Sequence, residues 1–173
     1  MSGQAVMSDR KPNRLERQLA QLDSVPGFAR QWFQSVVLRR AVPFTGTAGL
    51  DFIEMGTGRV EIGIKNEKKV QNHIGGVHAS AMNLLAETAT GMVVGMNVRD
   101  DCIPLAKELK VAFKKRATGA LRAVATLSDE QRTAMRASDK GEVNVAVTVT
   151  DEAGINPVEC EFVWAWIPSG PRK

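Results

Sequence analysis

Residues 76–98, GVHASAMNLLAETATGMVVGMNV, make an apolar run too long for a strand and rich in the helix formers Ala, Leu and Met. On a helix built from this run, Val77, Ala81, Leu84, Leu85, Ala89, Met92, Val93 and Met96 nearly surround the axis. No face of it suits water, so the rest of the chain has to wrap it. Gly76, Ala79, Ala81, Ala86, Ala89, Gly91 and Gly95 supply small side chains that let another layer come close.

The wrapping layer reads as strands. VEIGIK within Arg59–Lys65 alternates at period two, and MGTGR joins it to an extended stretch from Gly46 to Met55 as a β-hairpin. After the run come Ala106–Lys114, Ala120–Leu127, Glu142–Thr150 and Val158–Ile167, with VNVAVTVTD and ECEFVWAWI the clearest alternations. Between the second and third of these, SDEQRTAMRAS has helical composition, with Ser128 as its N-cap. Before the hairpin, Leu15, Leu19, Leu22, Phe28, Trp32 and Val36 recur at helical spacing, with a break at Pro26-Gly27, which predicts one or two amphipathic helices. The fold class is therefore α+β, an antiparallel sheet of about six strands around one long helix. Such a sheet neither closes nor fully buries the helix, and its open edges favour pairing with a second copy.

At 173 residues, 43% hydrophobic and 24% charged, the chain has ordinary globular composition. No run reaches the roughly 18 apolar residues of a spanning helix, and the N-terminus has neither a signal's apolar core nor a transit peptide's lack of acids, so a cytoplasmic location is expected and no membrane partner. Two cysteines, Cys102 and Cys160, are too few for a disulfide framework and read as free thiols. The net charge of +4 is concentrated in Lys107, Lys110, Lys114, Lys115, Arg116 and Arg122, with only Phe113 among them. Nucleic-acid surfaces interleave more aromatics with such charge, so this patch suits a phosphate-bearing small molecule better than DNA or RNA.

Within the apolar run stands one carboxylate, Glu87, with Asn83, Thr90 and Gly91 one helical turn away and no Lys or Arg in reach. An unpaired, desolvated carboxylate is costly and holds its proton more tightly, which is useful mainly to a reaction. At the other end, Gly75-Gly76 permits a tight approach, and the amides around Val77–Ser80 have no intrahelical acceptor. With the positive end of the helix dipole they make a site for a developing oxyanion. A metal is not expected: the chain's two histidines, His73 and His78, exclude a three-histidine site, and nine helical residues put about 13 Å of rise between His78 and Glu87. Ser80 has no nucleophile elbow around it, and neither cysteine lies near a histidine in sequence.

NHIGGVHA followed by LLAETATG, with Glu87 nine residues after His78 and Asn72 six before it, resembles the hotdog-fold thioesterases whose catalytic Glu lies on the central helix, the PaaI-like and 4-hydroxybenzoyl-CoA thioesterase-like superfamily. ELKVAFKKRATGALRAVATLSDE resembles the strand, basic turn and strand of the same enzymes, and the resemblance spans roughly residues 40–167. Ala79 stands where the family usually has Gly, a change that keeps the backbone N–H. The resemblance implies a hotdog domain over 41–168, preceded by an N-terminal helical extension over 1–40 and followed by a tail over 169–173.

It also implies hydrolysis of an acyl-CoA or acyl-carrier-protein thioester, with Glu87 as nucleophile or general base and the N–H groups of Ala79 and Gly76 polarising the carbonyl. Asn72 and His78 would orient the thioester or the water, and Lys114, Lys115 and Arg116 would meet the phosphates of coenzyme A. Asn83, Thr90 and Met92 would line the acyl pocket, with no cofactor beyond the coenzyme A of the substrate and a site formed between subunits of a homodimer or dimer of dimers. A non-catalytic acyl-thioester sensor of the same fold is the alternative, and retention of Glu87 speaks against it. Hydratase chemistry would want a His or Asp placed differently around the helix start.

Overall fold

The computed structural model describes residues 11–170; residues 1–10 and 171–173, which hold the start of the expected extension and most of the expected tail, lie outside them. In chain order the elements are α1 (Arg14–Ala20), a short 3-10 turn (Gln21–Ser24), α2 (Gly27–Ala41), α3 (Pro43–Ala48), β1 (Asp51–Met55), β2 (Arg59–Ile64), α4 (Ala79–Gly95), β3 (Cys102–Phe113), β4 (Leu121–Thr126), α5 (Asp129–Ala137), β5 (Gly141–Asp151) and β6 (Val158–Pro168). One antiparallel sheet of six strands runs in the order β1-β2-β4-β5-β6-β3 and curls around α4.

The alternation seen in the sequence is the alternation of the sheet. Val60, Ile62 and Ile64 of β2, Leu121, Ala123 and Ala125 of β4, Val143, Val145 and Val149 of β5 and Phe162, Trp164 and Trp166 of β6 are all buried in one core with Leu85, Ala86, Ala89, Val93 and Val94 of α4. At Gly91 helix and sheet approach closely: a Cβ there would stand 2.7 Å from the Trp164 ring. The Trp164 indole N–H donates to Thr90 Oγ1 at 3.0 Å and anchors that ring. Ser128 caps α5 in a reciprocal capping box with Gln131.

The structure corrects the start of the first strand. Gly46–Ala48 belong to α3, which Pro43 opens and Gly49 ends, and only Asp51 onward is extended. Pro fits the first helical turn, and Gly49 takes the left-handed conformation, φ 75°, that stops a helix. The central helix is also shorter than the apolar run, because Gly76–His78 form its entry turn.

The two edges of the sheet differ. On β1, Ser35 Oγ accepts from Phe52 N at 2.9 Å and Gln34 Nε2 donates to Phe52 O at 3.0 Å, while Arg39 Nε donates to Leu50 O at 2.7 Å. Helix α2 thus satisfies backbone groups that an edge strand leaves open. β3, at the other edge, has no such cover among the described residues. Leu109 and Phe113 pair with buried Phe162 and Val158, so they face the helix side, yet they remain 41% and 52% exposed.

Gly91→Val tests the close approach. It should lower unfolding stability by about 1–3 kcal/mol in urea titrations, because the anchored Trp164 ring cannot move away from the added methyls.

Candidate active site

The segment leading into α4 is closed by backbone bonds. His78 N donates to Val70 O at 2.8 Å and Asn72 N to Gly76 O at 2.8 Å, with Gln71 and Val77 bridged between them. The Asn72 side chain organises the turn inside, since its Oδ1 accepts from Ile74 N at 3.0 Å and Gly76 N at 3.1 Å. Gly75, at φ 77°, completes a turn that side chains adopt rarely. This corrects two expectations: the Gly76 amide is committed to Asn72 rather than open to a substrate, and Asn72 keeps only its amide N–H groups for one. His73 is exposed at the turn.

At the helix start the donors divide sharply. His78 is the N-cap, and its Nδ1 accepts from Ser80 N at 3.0 Å. Ala81 N and Met82 N donate to His78 O at 2.9 and 3.0 Å. Among the described residues, the Ala79 N–H donates to nothing and stands exposed. With Nδ1 accepting, Nε2 is the nitrogen left to carry the ring's N–H. The helix start therefore presents one open amide at the positive end of a 17-residue helix.

Glu87 lies eight residues further along α4, about 12 Å of helical rise. Burial pushes its carboxyl above the usual range, opposed only by a hydrogen bond to Thr88. No Lys or Arg pairs with it among the described residues, which leaves a base with no countercharge among them. The thiols offer no competing nucleophile: burial pushes Cys160 up to about 11 and raises Cys102 as well. Among the described residues, no three His, Cys, Asp or Glu side chains converge as a metal site would require.

The basic cluster splits once its partners are seen. Lys107 pairs with Glu142, Lys110 with Glu161 at 3.3 Å, Lys114 with Glu159 at 3.0 Å and Arg122 with Glu61 at 2.9 Å. Lys114, expected to meet the phosphates of coenzyme A, is thus paired with Glu159 on a charged sheet face. Lys115 and Arg116 have no carboxylate partner among the described residues, and Arg116 Nη2 donates to Ile74 O at 3.1 Å. That bond brings the two cations beside the turn that opens α4.

The expected acyl lining is dispersed. Thr90 is fully buried, donating back to the helix (Ala86 O at 3.0 Å) and accepting from Trp164, so it is core. Asn83 is half-buried, and Met92 packs against the core cluster. A cleft that sequence reasoning missed opens instead between α3 and the start of α4, with a volume of about 230 Å³. It was hidden by the assignment of Gly46–Ala48 to a strand; Pro43 ahead of the Gly49 stop was the available signal. A wider cleft of about 570 Å³ lies between the N-terminal helices and the β1–β2 turn, at Met96 and far from the open amide.

Sheet order and central helix define a hotdog fold, as in several solved structures. A Pseudomonas aeruginosa protein of unknown function, described as a probable thioesterase, matches at a TM-score of 0.71 and 23% identity, over 78% of this chain and 93% of that one. A thioesterase family protein from Silicibacter pomeroyi matches at 0.61 and 15%, over 83% and 100%, and a Haemophilus influenzae thioesterase at 0.58 and 12%, over 72% and 82%. No curated protein matches in sequence. Residues 30–167 match the family described as a domain of unknown function, DUF4442, and the chain belongs to it.

The raised carboxyl of Glu87 has a stability consequence. A folded-state value above the unfolded one means that ionisation destabilises the fold, fully at pH above the folded value, with the penalty fading as pH falls toward ordinary carboxylate values. Glu87→Gln should therefore raise Tm at pH 8, and the difference should shrink steadily in thermal melts taken down to pH 4.

Proposed function

We propose that the protein hydrolyses an acyl thioester of coenzyme A or of a carrier protein, with Glu87 as the base that activates water. One observation carries the reading: the helix that buries an unpaired carboxylate also ends in a single uncommitted amide, that of Ala79. Water attacks the thioester carbonyl carbon while the Glu87 carboxylate takes its proton. Negative charge gathers on the carbonyl oxygen, where the Ala79 N–H and the helix dipole stabilise it. The intermediate collapses by breaking the C–S bond, and the proton on Glu87 passes to the departing thiolate. A carboxyl value above the usual range brings the base closer to neutrality, where general-base catalysis is most effective.

One subunit does not bring these groups to one carbonyl. About 12 Å of rise separates Ala79 from Glu87, more than a glutamate side chain spans by reaching back along its helix. The reading therefore includes a second copy paired through the open β3 edge, where Leu109 and Phe113 remain exposed, so that Glu87 of one subunit faces Ala79 of the other. The phosphates of coenzyme A fit Lys115 and Arg116 beside the entry turn.

Ala79→Pro removes the open N–H at the first helical position, where proline is tolerated, and His78 already has the extended conformation, ψ 145°, that a following proline requires. It should lower kcat on acyl-CoA esters by about 100- to 1,000-fold while circular dichroism stays native. Glu87→Gln should lower kcat at least as far, and the acid limb of the wild-type profile should fall above pH 4.5, the usual glutamate value. A Glu87→Gln enzyme as active as wild type would refute the assignment. Lys115→Ala combined with Arg116→Ala should raise KM for coenzyme A esters several-fold at low salt and leave kcat close to wild type.

A further inference from the structure

The cleft beside the helix start bears on the substrate's acyl group. Its apolar walls are Phe44 and Ala48 of α3, Val70, and Ala81 and Leu84 of α4, while His78 and Ser80 line one part of it. Ala79 stands between those last two residues, so the open amide sits at the border of the cleft. Val70, Ala48 and Ala81 are 6%, 7% and 9% exposed and form fixed walls, whereas Phe44 is 64% exposed. No carboxylate lines the space, and its one cation, Lys69, pairs with Glu67 at 3.4 Å. A carbonyl oxygen held on the Ala79 N–H thus has an apolar space next to it on the α3 side, while Arg116 and Lys115 approach the entry turn at Ile74.

Resting on the thioester reading above, we infer that this cleft takes the acyl group, and that α3 limits it to a short chain or a single ring. A volume of about 230 Å³ equals the share of about eight water molecules, at roughly 30 Å³ each, and so suits an acyl group of about eight non-hydrogen atoms. Each methylene that enters should raise kcat/KM about fourfold, the equivalent of burying one methylene, and carbons beyond the cleft should add nothing. Thr47 and Phe44, both exposed, are the positions at which the cleft can be narrowed or widened without touching the core.

The test compares kcat/KM for acetyl- to palmitoyl-CoA and benzoyl-CoA in wild type, Thr47→Trp and Phe44→Ala, each confirmed folded by circular dichroism. Wild type should climb from acetyl to about octanoyl and then level or fall. Thr47→Trp should lower the octanoyl-to-acetyl ratio at least tenfold, and Phe44→Ala should move the limit to longer chains. Hydrolysis with a chain-length profile that neither substitution changes would overturn the acyl cleft and leave the thioesterase reading standing. If wild type cleaves none of the esters, that reading fails, and octanoate titrated against ¹³C-methyl-labelled protein decides the cleft. Saturable shifts at Val70 and Leu84 would support an apolar-chain site, and unmoved methyls would overturn it.

Discussion

The contact between α4 and β6 is the constraint on which the rest depends. A glycine at position 91 lets the helix lie against the Trp164 ring, and the indole N–H spends its one donor on Thr90. Tryptophan brings large apolar area with a single polar atom, so burying it costs little once that atom is paired. The same bond fixes the rotation of α4 about its axis. Glu87 lies one turn before Thr90 and Gly91, on the same side of the helix, so the packing against Trp164 bears on how deeply it sits. Its raised carboxyl is then a product of position, with no charged neighbour needed to explain it.

The sheet around that helix treats its two edges and its two faces differently. Side chains of α2 take up both backbone groups of Phe52 on β1, an arrangement that opposes further strand addition there. β3 keeps its edge, and its tolerance of Pro104 is that of an edge strand. Across the outer face, Lys107 and Lys110 of β3 and Lys114 just after it meet Glu142, Glu161 and Glu159 of β5 and β6. Exposed pairs of this kind contribute little energy each, but they consume the cations locally. What remains for an anionic ligand is the turn after β3, a much smaller and better localised patch than the count of basic residues suggests.

The central helix was legible because its apolar run is too long for a strand, β2, β4, β5 and β6 because they alternate at period two, and the Ser128 cap because its partner Gln131 lies three residues away, whereas β3 carries a register shift between Ala106 and Glu108. Local signals of that sort survive in any tertiary context. α3 was not legible: Pro43-Phe44-Thr45-Gly46-Thr47-Ala48 holds weak helix formers, and the helix stands on its proline start, its glycine stop and packing against the core. Missing it hid the cleft it walls. Thr90 was expected in the acyl pocket and lies in the core, because its partner Trp164 is 74 residues away and no local pattern shows it. Lys110 likewise finds Glu161 at a separation of 51 residues. Glu87 was the opposite case, because what singles it out is the absence of partners within one turn, a property of the local sequence.

His78 explains how one amide is left open. Ser, Asp and Asn are the usual residues at a helix N-cap, and each would satisfy the same first-turn donors. An aspartate there would also set a full negative charge beside the helix start and cancel the field that favours an anion. The His78 imidazole accepts from Ser80 through Nδ1 and brings no negative charge, so the cap is satisfied while the positive end of α4 stays uncompensated. A cap chosen for helix stability alone has no need of an acceptor without negative charge, whereas a site that stabilises a transient oxyanion gains from the undiminished dipole.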